Sequence, residues 1–153
     1  MKYTSEVIVD LPLDGFMAKF DNAENMKHWQ KGLVSIEHIS GFPGMVGAKM
    51  KLNYQFEKNR MSIIETVTHH NLPYEFHGTY STEGVSNFQQ NFFKEMENGS
   101  TKWISVSDYM PLNFKMRSML WLMPKAFKKQ SIQYMLDFKN FAEKGISVAN
   151  ATT

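Results

Sequence analysis

Residues 113–144 read NFKMRSMLWLMPKAFKKQSIQYMLDFKNFAEK, a stretch with almost no turn-forming residues. Its apolar side chains recur at intervals of three, four and seven, which places them on one face of a helix: Met116, Leu120, Met123, Phe127, Tyr134, Phe138 and Phe141. Such a helix would be roughly 45 Å long at ~1.5 Å per residue, more than a small sheet needs as a lid. Because a long helix laid into a curved antiparallel sheet often encloses a cavity, the stretch predicts an internal site for an apolar small molecule.

Pro124 interrupts this helical stretch. Proline deletes one backbone hydrogen bond of a helix, here the bond to the carbonyl of Leu120, and usually bends the helix. A bend would widen a cavity beneath Met116 and Met123, whose flexible side chains adapt to ligands of different shape. The alternative is two consecutive helices with a break near Met123.

The composition indicates one globular domain. The chain has 153 residues, of which 42% are hydrophobic and 14% aromatic. We expect a single domain over residues 1–148 and a small polar tail at 149–153. The sequence has no cysteine, which excludes disulfides, thiol catalysis and thiolate zinc sites.

The charge pattern favours neither nucleic acid nor a membrane as a partner. The formal net charge is +2, and Lys and Arg are scattered among Asp and Glu, so neither a nucleic-acid surface nor an anionic-membrane surface is predicted. Lys125, Lys128 and Lys129 do cluster, and we interpret them as a solvated helix face. No apolar run approaches membrane-spanning length and residues 1–20 lack a signal-peptide core, so we expect a cytoplasmic protein without membrane insertion.

The rest of the chain predicts short strands and two short helices. A strand at 3–9 precedes a helix with Asp14 as its cap candidate and a second short helix that ends near Trp29. Strand candidates follow at 33–40, 47–56, 61–70, 74–82, 85–96 and 101–110. The connections are too short for parallel crossovers, which predicts an antiparallel meander.

This element order resembles the SRPBCC superfamily, also called START-like or polyketide cyclase/dehydrase and lipid-transport-like, which includes the birch-pollen-allergen type. The resemblance covers nearly the whole chain and rests on Phe16–Trp29, GFPGMVG at 41–47, NGSTKW at 98–103 and the C-terminal helix. It implies an α+β helix-grip fold, in which a curved seven-stranded antiparallel sheet wraps around the long helix and two short helices lie between strands 1 and 2. It also implies a hydrophobic cavity, since family members bind lipids, sterols and other apolar molecules, and some are enzymes or chaperone ATPase activators.

The predicted hairpin turns indicate which side chains face the cavity. A turn at Lys58-Asn59 pairs Phe56 with Met61 and points inward Ile63, Glu65, Val67 and His69. A turn at Leu72-Pro73 then pairs Glu65 with Tyr80. The two turns agree on one inward face, although an outward, solvated Glu65 remains open.

The next two turns extend this face to the last strands. Glu83-Gly84 places four residues of strand 85–96 inside: Asn87, Gln89, Asn91 and Phe93. Asn98-Gly99 places four residues of strand 101–110 inside: Ile104, Val106, Asp108 and Met110. A single bulge would reverse either set, and Asp108 has an outward alternative. The inward set would form a polar patch on an otherwise apolar wall.

These faces give a predicted ligand-binding set of Trp29, Met50, Leu52, Tyr54, Phe56, Ile63, Glu65, Phe76, Tyr80, Gln89, Asn91, Met116, Leu120, Met123 and Phe127. Glu65 is the candidate catalytic acid or base, with Tyr54 or Tyr80 as a proton donor and His69 as a partner. A carboxylate in an apolar cavity has a raised pKa, which suits proton abstraction next to a carbonyl.

Metal and cofactor signatures are weak. Gly41, Gly44 and Gly47 precede a strand and not the helix N-terminus that a phosphate-binding loop requires. None of the five histidines has helical metal-ligand spacing, and His69 and His77 would share a face only if a turn register shifted. We therefore expect no metal and no cofactor.

Three functions stay open: a non-catalytic binder of a hydrophobic molecule, a cofactor-free cyclase or dehydratase that uses Glu65, and an interaction module similar to the heat-shock ATPase activators. The sequence favours the first. It leaves the ligand and the oligomeric state open.

Overall fold

The computed structural model describes residues 1–149. The strands are β1 Lys2–Val9, β2 Leu33–Ser40, β3 Lys49–Phe56, β4 Asn59–Asn71, β5 Glu75–Thr82, β6 Val85–Glu95 and β7 Thr101–Pro111. The helices are α1 Leu13–Phe20, α2 Met26–Trp29, α3 Phe114–Leu122 and α4 Pro124–Lys144, with a 3₁₀ turn at Ala23–Asn25. All but the first residue of the predicted tail lies outside the described residues.

The seven strands form one antiparallel sheet in the order β1-β7-β6-β5-β4-β3-β2. α1 and α2 lie between β1 and β2, and α4 packs against β1 and α2. The predicted fold class, a curved seven-stranded sheet with two short helices and a long C-terminal helix, is confirmed. None of the helices within residues 1–149 is both long enough and apolar enough to cross a membrane.

An aromatic cluster fixes α4 on the sheet. Phe138 of α4 is fully buried, with its ring centroid 4.9 Å from that of Phe16 in α1 and 5.6 Å from that of Trp103 in β7. Trp29 and Phe93 complete the cluster. Aromatic pairs at these distances gain energy beyond their buried area, so the cluster stabilises the packing of α4 on the sheet.

The long apolar stretch forms two helices, as in the alternative prediction. Met123 lies between them with φ −130° and ψ 54°, and Pro124 is the first residue of α4. A residue before proline is sterically driven away from helical geometry, which explains the break. The break changes the phase of the apolar periodicity, so the residues before and after it do not share one face.

The prediction of Asp14 as the cap of α1 is wrong. The helix begins at Leu13, the residue before Asp14, so Asp14 lies in its first turn. The free amide of Leu13 instead donates a 2.8 Å hydrogen bond to Glu95 Oε1 of β6. A carboxylate from the sheet therefore satisfies the helix N-terminus.

Three predicted hairpin registers differ from the observed ones. The β3–β4 turn is Glu57-Lys58, so Tyr54 and not Phe56 pairs with Met61; this shift of two residues keeps every side chain on its predicted face. A bulge between Val67 and His69 pairs His69 with His77 and turns His69 outward. Glu65 still pairs with Tyr80, as predicted.

The β6–β7 loop is longer than a two-residue turn, and this reverses the predicted face of β7. Met96 N–H donates to Ser100 O, and Gly99, at φ +84°, donates to Met96 O. Phe93 therefore pairs with Trp103. The inward residues of β7 are Trp103, Ser105 and Ser107, and the outward ones are those predicted inside: Ile104, Val106, Asp108 and Met110.

Candidate functional site

A wide pocket of about 690 Å³ opens between the short helices, β2 and the centre of the sheet. Exposed residues of the 3₁₀ turn and the glycine loop, including Glu24 and Gly44, form its mouth. Its deeper wall consists mainly of apolar and aromatic side chains: Phe20, Met26, Trp29, Leu33, Met50, Glu65, Val67, Leu72, Phe76 and Tyr80. The volume and the lining are those of small-molecule sites. This feature, hereafter the wide pocket, is the main candidate site.

The glycine loop is built to fold tightly over the mouth of the wide pocket. Gly41, Gly44 and Gly47 all have positive φ, and a Cβ on Gly41 would lie 2.8 Å from Ala48 Cα. Only glycine fits such a close backbone approach at this φ. β3 follows the loop, in agreement with the predicted hairpin role.

A second cavity of about 190 Å³ lies between α4 and the sheet, and we call it the helix pocket. The two pockets adjoin, because both are lined by Phe20, Trp29, Gln30 and Tyr80. Twelve of the 19 residues that line the helix pocket have polar but uncharged side chains: Gln30, Tyr54, Tyr80, Thr82, Asn87, Gln89, Asn91, Ser105, Tyr109, Gln130, Ser131 and Tyr134. No charged side chain within residues 1–149 belongs to this lining.

A ladder of amides runs along the β6 wall of the helix pocket. Asn87 Nδ2 donates to Gln89 Oε1 at 3.2 Å, and Gln89 Nε2 donates to Asn91 Oδ1 at 3.2 Å. Trp103 Nε1 donates to the same Asn91 oxygen at 2.9 Å. At the other end, Asn87 Oδ1 is buried without a partner among the described residues. A buried acceptor left unpaired is costly, so this end of the ladder is unsatisfied.

Glu65 lies in the wall of the wide pocket and is only 6% exposed. Burial raises the pKa of its carboxyl group, and a hydrogen bond with Tyr80 lowers that pKa in part. Its strand neighbours across the sheet are Met50 and Tyr80. The site therefore holds a carboxyl group that resists ionisation beside an apolar cavity.

Two phenols lie beside this carboxyl group. Burial raises the pKa of Tyr80 and of Tyr54, and the charge of Glu65 raises both further. Both phenols stay protonated at neutral pH and remain hydrogen-bond donors. Tyr54 OH donates to Gln30 Oε1, which ties β3 to the end of α2 at the boundary between the pockets.

The pockets bring together ten of the fifteen residues in the predicted ligand-binding set. Five line the wide pocket: Trp29, Met50, Glu65, Phe76 and Tyr80. Seven line the helix pocket, two of them also in the wide pocket: Trp29, Leu52, Tyr54, Ile63, Tyr80, Gln89 and Asn91.

The other five predicted residues lie outside both pockets: Phe56, Met116, Leu120, Met123 and Phe127. Four of them come from the N-terminal half of the apolar stretch. Met123 is exposed at the break between the helices, and the Phe127 ring packs 5.0 Å from that of Tyr109. The helical contribution to the cavity instead comes from Gln130, Ser131, Tyr134 and Met135 of α4.

Several lining residues were not in the predicted set, because they come from elements whose orientation depends on tertiary packing. Phe20, Gln30 and Leu33 belong to the short helices and the start of β2. Asn87 and Val67 had an inward alternation as a signal, and the structure buries both.

A cluster of His69, Glu75 and His77 lies on the outer face of the sheet, with donor atoms within 4.8 Å of one another. The β4 bulge supplies the register shift that this pairing required. His69 Nε2 pairs with Glu75 Oε2 at 2.9 Å, and the two imidazole rings stack at 4.9 Å. The backbone N–H of Asn91 donates to His77 Nδ1 at 3.2 Å, so Nδ1 carries no hydrogen. The cluster as arranged is a hydrogen-bonded His69–Glu75 pair beside the stacked His77 ring, whose Nδ1 already accepts a hydrogen bond.

Comparison with known proteins identifies the fold. No protein-family model matches the sequence, and no curated protein matches it. The structure is similar to that of Ara h 8.0201, with 16% identity, a TM-score of 0.70, and 93% of this chain and 97% of that chain covered. It is also similar to a conserved protein from Geobacillus kaustophilus, with 12% identity, a TM-score of 0.77, and 93% and 95% coverage. A protein from Thermus thermophilus has 10% identity, a TM-score of 0.73, and 93% and 97% coverage.

Each of these similarities covers 93% of this chain. Because the identities are only 10–16%, they show a shared architecture. Together with the element order, they confirm the predicted resemblance at the level of fold. The chain has a Bet v 1-like helix-grip fold.

Proposed function

We propose that this protein binds a single amphipathic small molecule, with the apolar body in the wide pocket and a neutral polar group in the helix pocket. The observation that carries the proposal is that two cavities, of about 690 and 190 Å³, adjoin and share four lining residues. Together they offer a large apolar chamber that ends in uncharged hydrogen-bonding groups, a combination typical of small-molecule sites. The resemblance to a superfamily with hydrophobic ligands supports the same function.

The lining defines the chemistry of the ligand. Met50, Val67 and Phe76 supply apolar surface, which favours a ring system or an aliphatic body. The helix pocket contains amides, hydroxyls and phenols, so an ionised ligand group would enter it without a counter-ion. A hydroxyl group suits the helix pocket best, because it can both donate to and accept from the amides, hydroxyls and phenols of the lining.

A neutral fluorescent probe tests the proposal. A naphthalene that carries a ketone and a dialkylamine should bind the native protein saturably with 1:1 stoichiometry and a blue-shifted emission. Met50→Trp should weaken this binding at least tenfold, since the half-buried Met50 side chain faces the wide pocket and a larger ring would fill it.

Phe88→Trp is the matched control. It enlarges an exposed aromatic side chain on the outer face of the same sheet and should leave probe binding unchanged. Equal binding by both variants, with cooperative unfolding retained, would show that the probe binds elsewhere and would contradict the proposal.

A second candidate function is acid–base catalysis, and the pairing of Glu65 with Tyr80 in the pocket wall favours it. The Glu65 carboxylate would accept a proton from the carbon next to a ligand carbonyl, and the Tyr80 hydroxyl would hydrogen-bond to the developing enolate oxygen. The proton then returns to carbon or is replaced from solvent.

Hydrogen–deuterium exchange separates the enzyme from the binder. 2-Tetralone, an aromatic ketone of suitable size, would be incubated in D₂O, and NMR would follow loss of its α-hydrogens. An enzyme should accelerate this exchange, and Glu65→Gln should abolish the acceleration while probe binding persists. Exchange at the buffer rate with the native protein leaves the binder as the function.

A further inference from the structure

The segment from Tyr109 to Leu136 carries five cationic side chains and no Asp or Glu. The cations are all exposed: Lys115, Arg117, Lys125, Lys128 and Lys129. None of the five forms an ion pair with another group of residues 1–149. The solvated helix face predicted for the three lysines thus belongs to a longer segment whose own charged side chains are all cationic. One exposed carboxylate, Glu83, lies near the start of this segment, because Gly84 accepts a hydrogen bond from the Leu112 amide.

The same segment exposes large apolar side chains. Phe114 and Trp121 of α3 are 82% and 81% exposed, and Leu122 is 68% exposed. Further exposed apolar residues flank them in sequence: Met110, Leu112, Met119 and Met123. Exposed large apolar side chains concentrated in one segment are a mark of an interaction site.

The helical phase of α3 aligns these groups. Phe114 and Trp121 are seven residues apart, so they point in nearly the same direction, with Ser118 between them. Arg117 and Lys115 lie on the two flanks of this stripe, while Leu120 on the opposite side is buried. α3 therefore presents an aromatic edge bordered by cations and packs against the protein through its other side.

We propose that this surface, residues 110–129, docks the protein onto an anionic lipid bilayer. Aromatic and aliphatic side chains between Lys and Arg form the pattern of helices that lie in the membrane interface, where rings sit at the headgroup level and cations meet anionic lipid. A second copy of the chain is a poor occupant, since a symmetric contact would oppose five cations with five cations. Nucleic acid would satisfy the charges but leave Leu122 and Met123 without apolar partners.

The surface adjoins the helix pocket. Val85 lines that pocket and pairs with Pro111, the last residue of β7, and Tyr109 lines it directly. A protein docked through α3 would thus hold the helix pocket close to the bilayer. Lipid binding itself does not depend on the proposed ligand, so failure of one proposal leaves the other testable.

Vesicle flotation of the full chain tests the docking surface. Vesicles of phosphatidylcholine with 30% phosphatidylglycerol should bind the protein at 0.1 M NaCl and release it at 0.5 M, whereas pure phosphatidylcholine should bind far less. Trp29 and Trp103 are buried, so a vesicle-induced blue shift and protection from acrylamide would report on Trp121.

Two sets of variants identify the residues responsible. Lys125→Gln/Lys128→Gln/Lys129→Gln should lower the partition coefficient about 100-fold, from roughly fivefold per cation near an anionic surface. Lys2→Gln/Lys58→Gln/Lys94→Gln is its matched control, since it removes three exposed lysines elsewhere and should have a much smaller effect. Phe114→Ser/Trp121→Ser should abolish the remaining binding, whereas Phe42→Ser, an equally exposed aromatic on the glycine loop, should not.

Several results would contradict the proposed membrane docking. Absence of binding to anionic vesicles, equal loss in the two lysine triples, or loss with Phe42→Ser alone would refute docking through α3. Saturable binding of a 20-mer oligonucleotide without vesicle binding would assign the surface to nucleic acid, and Trp121-dependent dimers in sedimentation would assign it to self-association. If a variant fails to fold by circular dichroism, Trp121 quenching in the native protein decides the question.

Discussion

Glu65→Gln should stabilise the protein at neutral pH while leaving its stability in acid almost unchanged. Burial raises the pKa of the folded Glu65 carboxyl, so the folded state binds its proton more tightly than the unfolded chain does. As the pH rises through the window between the unfolded pKa of about 4.3 and the raised folded pKa, the unfolded state gains stability from ionisation and the folded state does not. Glutamine keeps the shape of the side chain and does not ionise.

The size of the effect follows from the one proton involved. Within that window, the difference in the free energy of unfolding, variant minus native protein, should increase by up to about 1.4 kcal/mol per pH unit. Above the raised pKa the difference should become constant. Its plateau, divided by about 1.4 kcal/mol, gives the pKa shift of Glu65 in units. The hydrogen bond with Tyr80 persists with an amide oxygen as acceptor, so little stability should be lost at low pH.

Urea denaturation from pH 4 to 8 measures this difference, with tryptophan fluorescence as the readout. Glu97→Gln removes one exposed carboxylate from the β6–β7 loop and controls for the change in net charge. A stability difference between Glu65→Gln and the native protein that does not vary with pH would refute the reasoning. It would mean that the carboxyl group reaches water in the folded protein, and it would remove the basis for acid–base catalysis in the wide pocket.

Three further predictions concern the ligand, a helix end and the glycine loop. Asn87→Leu should weaken 2-naphthol about three- to tenfold in calorimetry and leave naphthalene unchanged, because only the hydroxyl can hydrogen-bond with the polar pocket wall to which Asn87 belongs; equal effects on both would contradict this. Glu95→Ala should cost about 0.5–2 kcal/mol in thermal or urea unfolding, since it removes the acceptor of the Leu13 amide, whereas Glu97→Ala should cost much less. Gly41→Ala should destabilise the protein more than Gly44→Ala. Both variants bear the roughly 1–2 kcal/mol penalty of positive φ, but only the Cβ at position 41 also meets the Ala48 backbone, at 2.8 Å; equal unfolding midpoints would refute that contact.

Two errors in the predicted hairpin turns had different consequences for the predicted sheet. The β3–β4 turn was misplaced by a shift of two residues in the pairing, which preserves the alternation, so Glu65 and Ile63 kept their predicted faces. The β6–β7 loop changed the pairing by one residue and reversed β7. A register error of an even number of residues therefore keeps each side chain on its predicted face, whereas an error of an odd number moves it to the other face.

The candidate site was less predictable than the sheet, because part of its lining depends on how the helices pack against the sheet. Alternation could place Met50, Tyr54 and Asn91 on the inner face, because a strand's neighbours are local in a meander. No local pattern indicates that Gln30, the residue after α2, meets Tyr54 of β3. Likewise, the carboxylate that caps α1 comes from Glu95, far along the chain.

The helix break also explains why the docking surface is invisible in the whole-chain charge pattern. A continuous helix would have placed Met116, Met123 and Phe127 on one buried face, and the composition argument treated the cations as scattered. With the break at Met123, the chain separates into α3, which buries Leu120 and exposes Phe114 and Trp121, and α4, which begins with exposed lysines. One proline thus converts a stretch that reads as a core helix into a short cationic, aromatic edge next to the helix pocket.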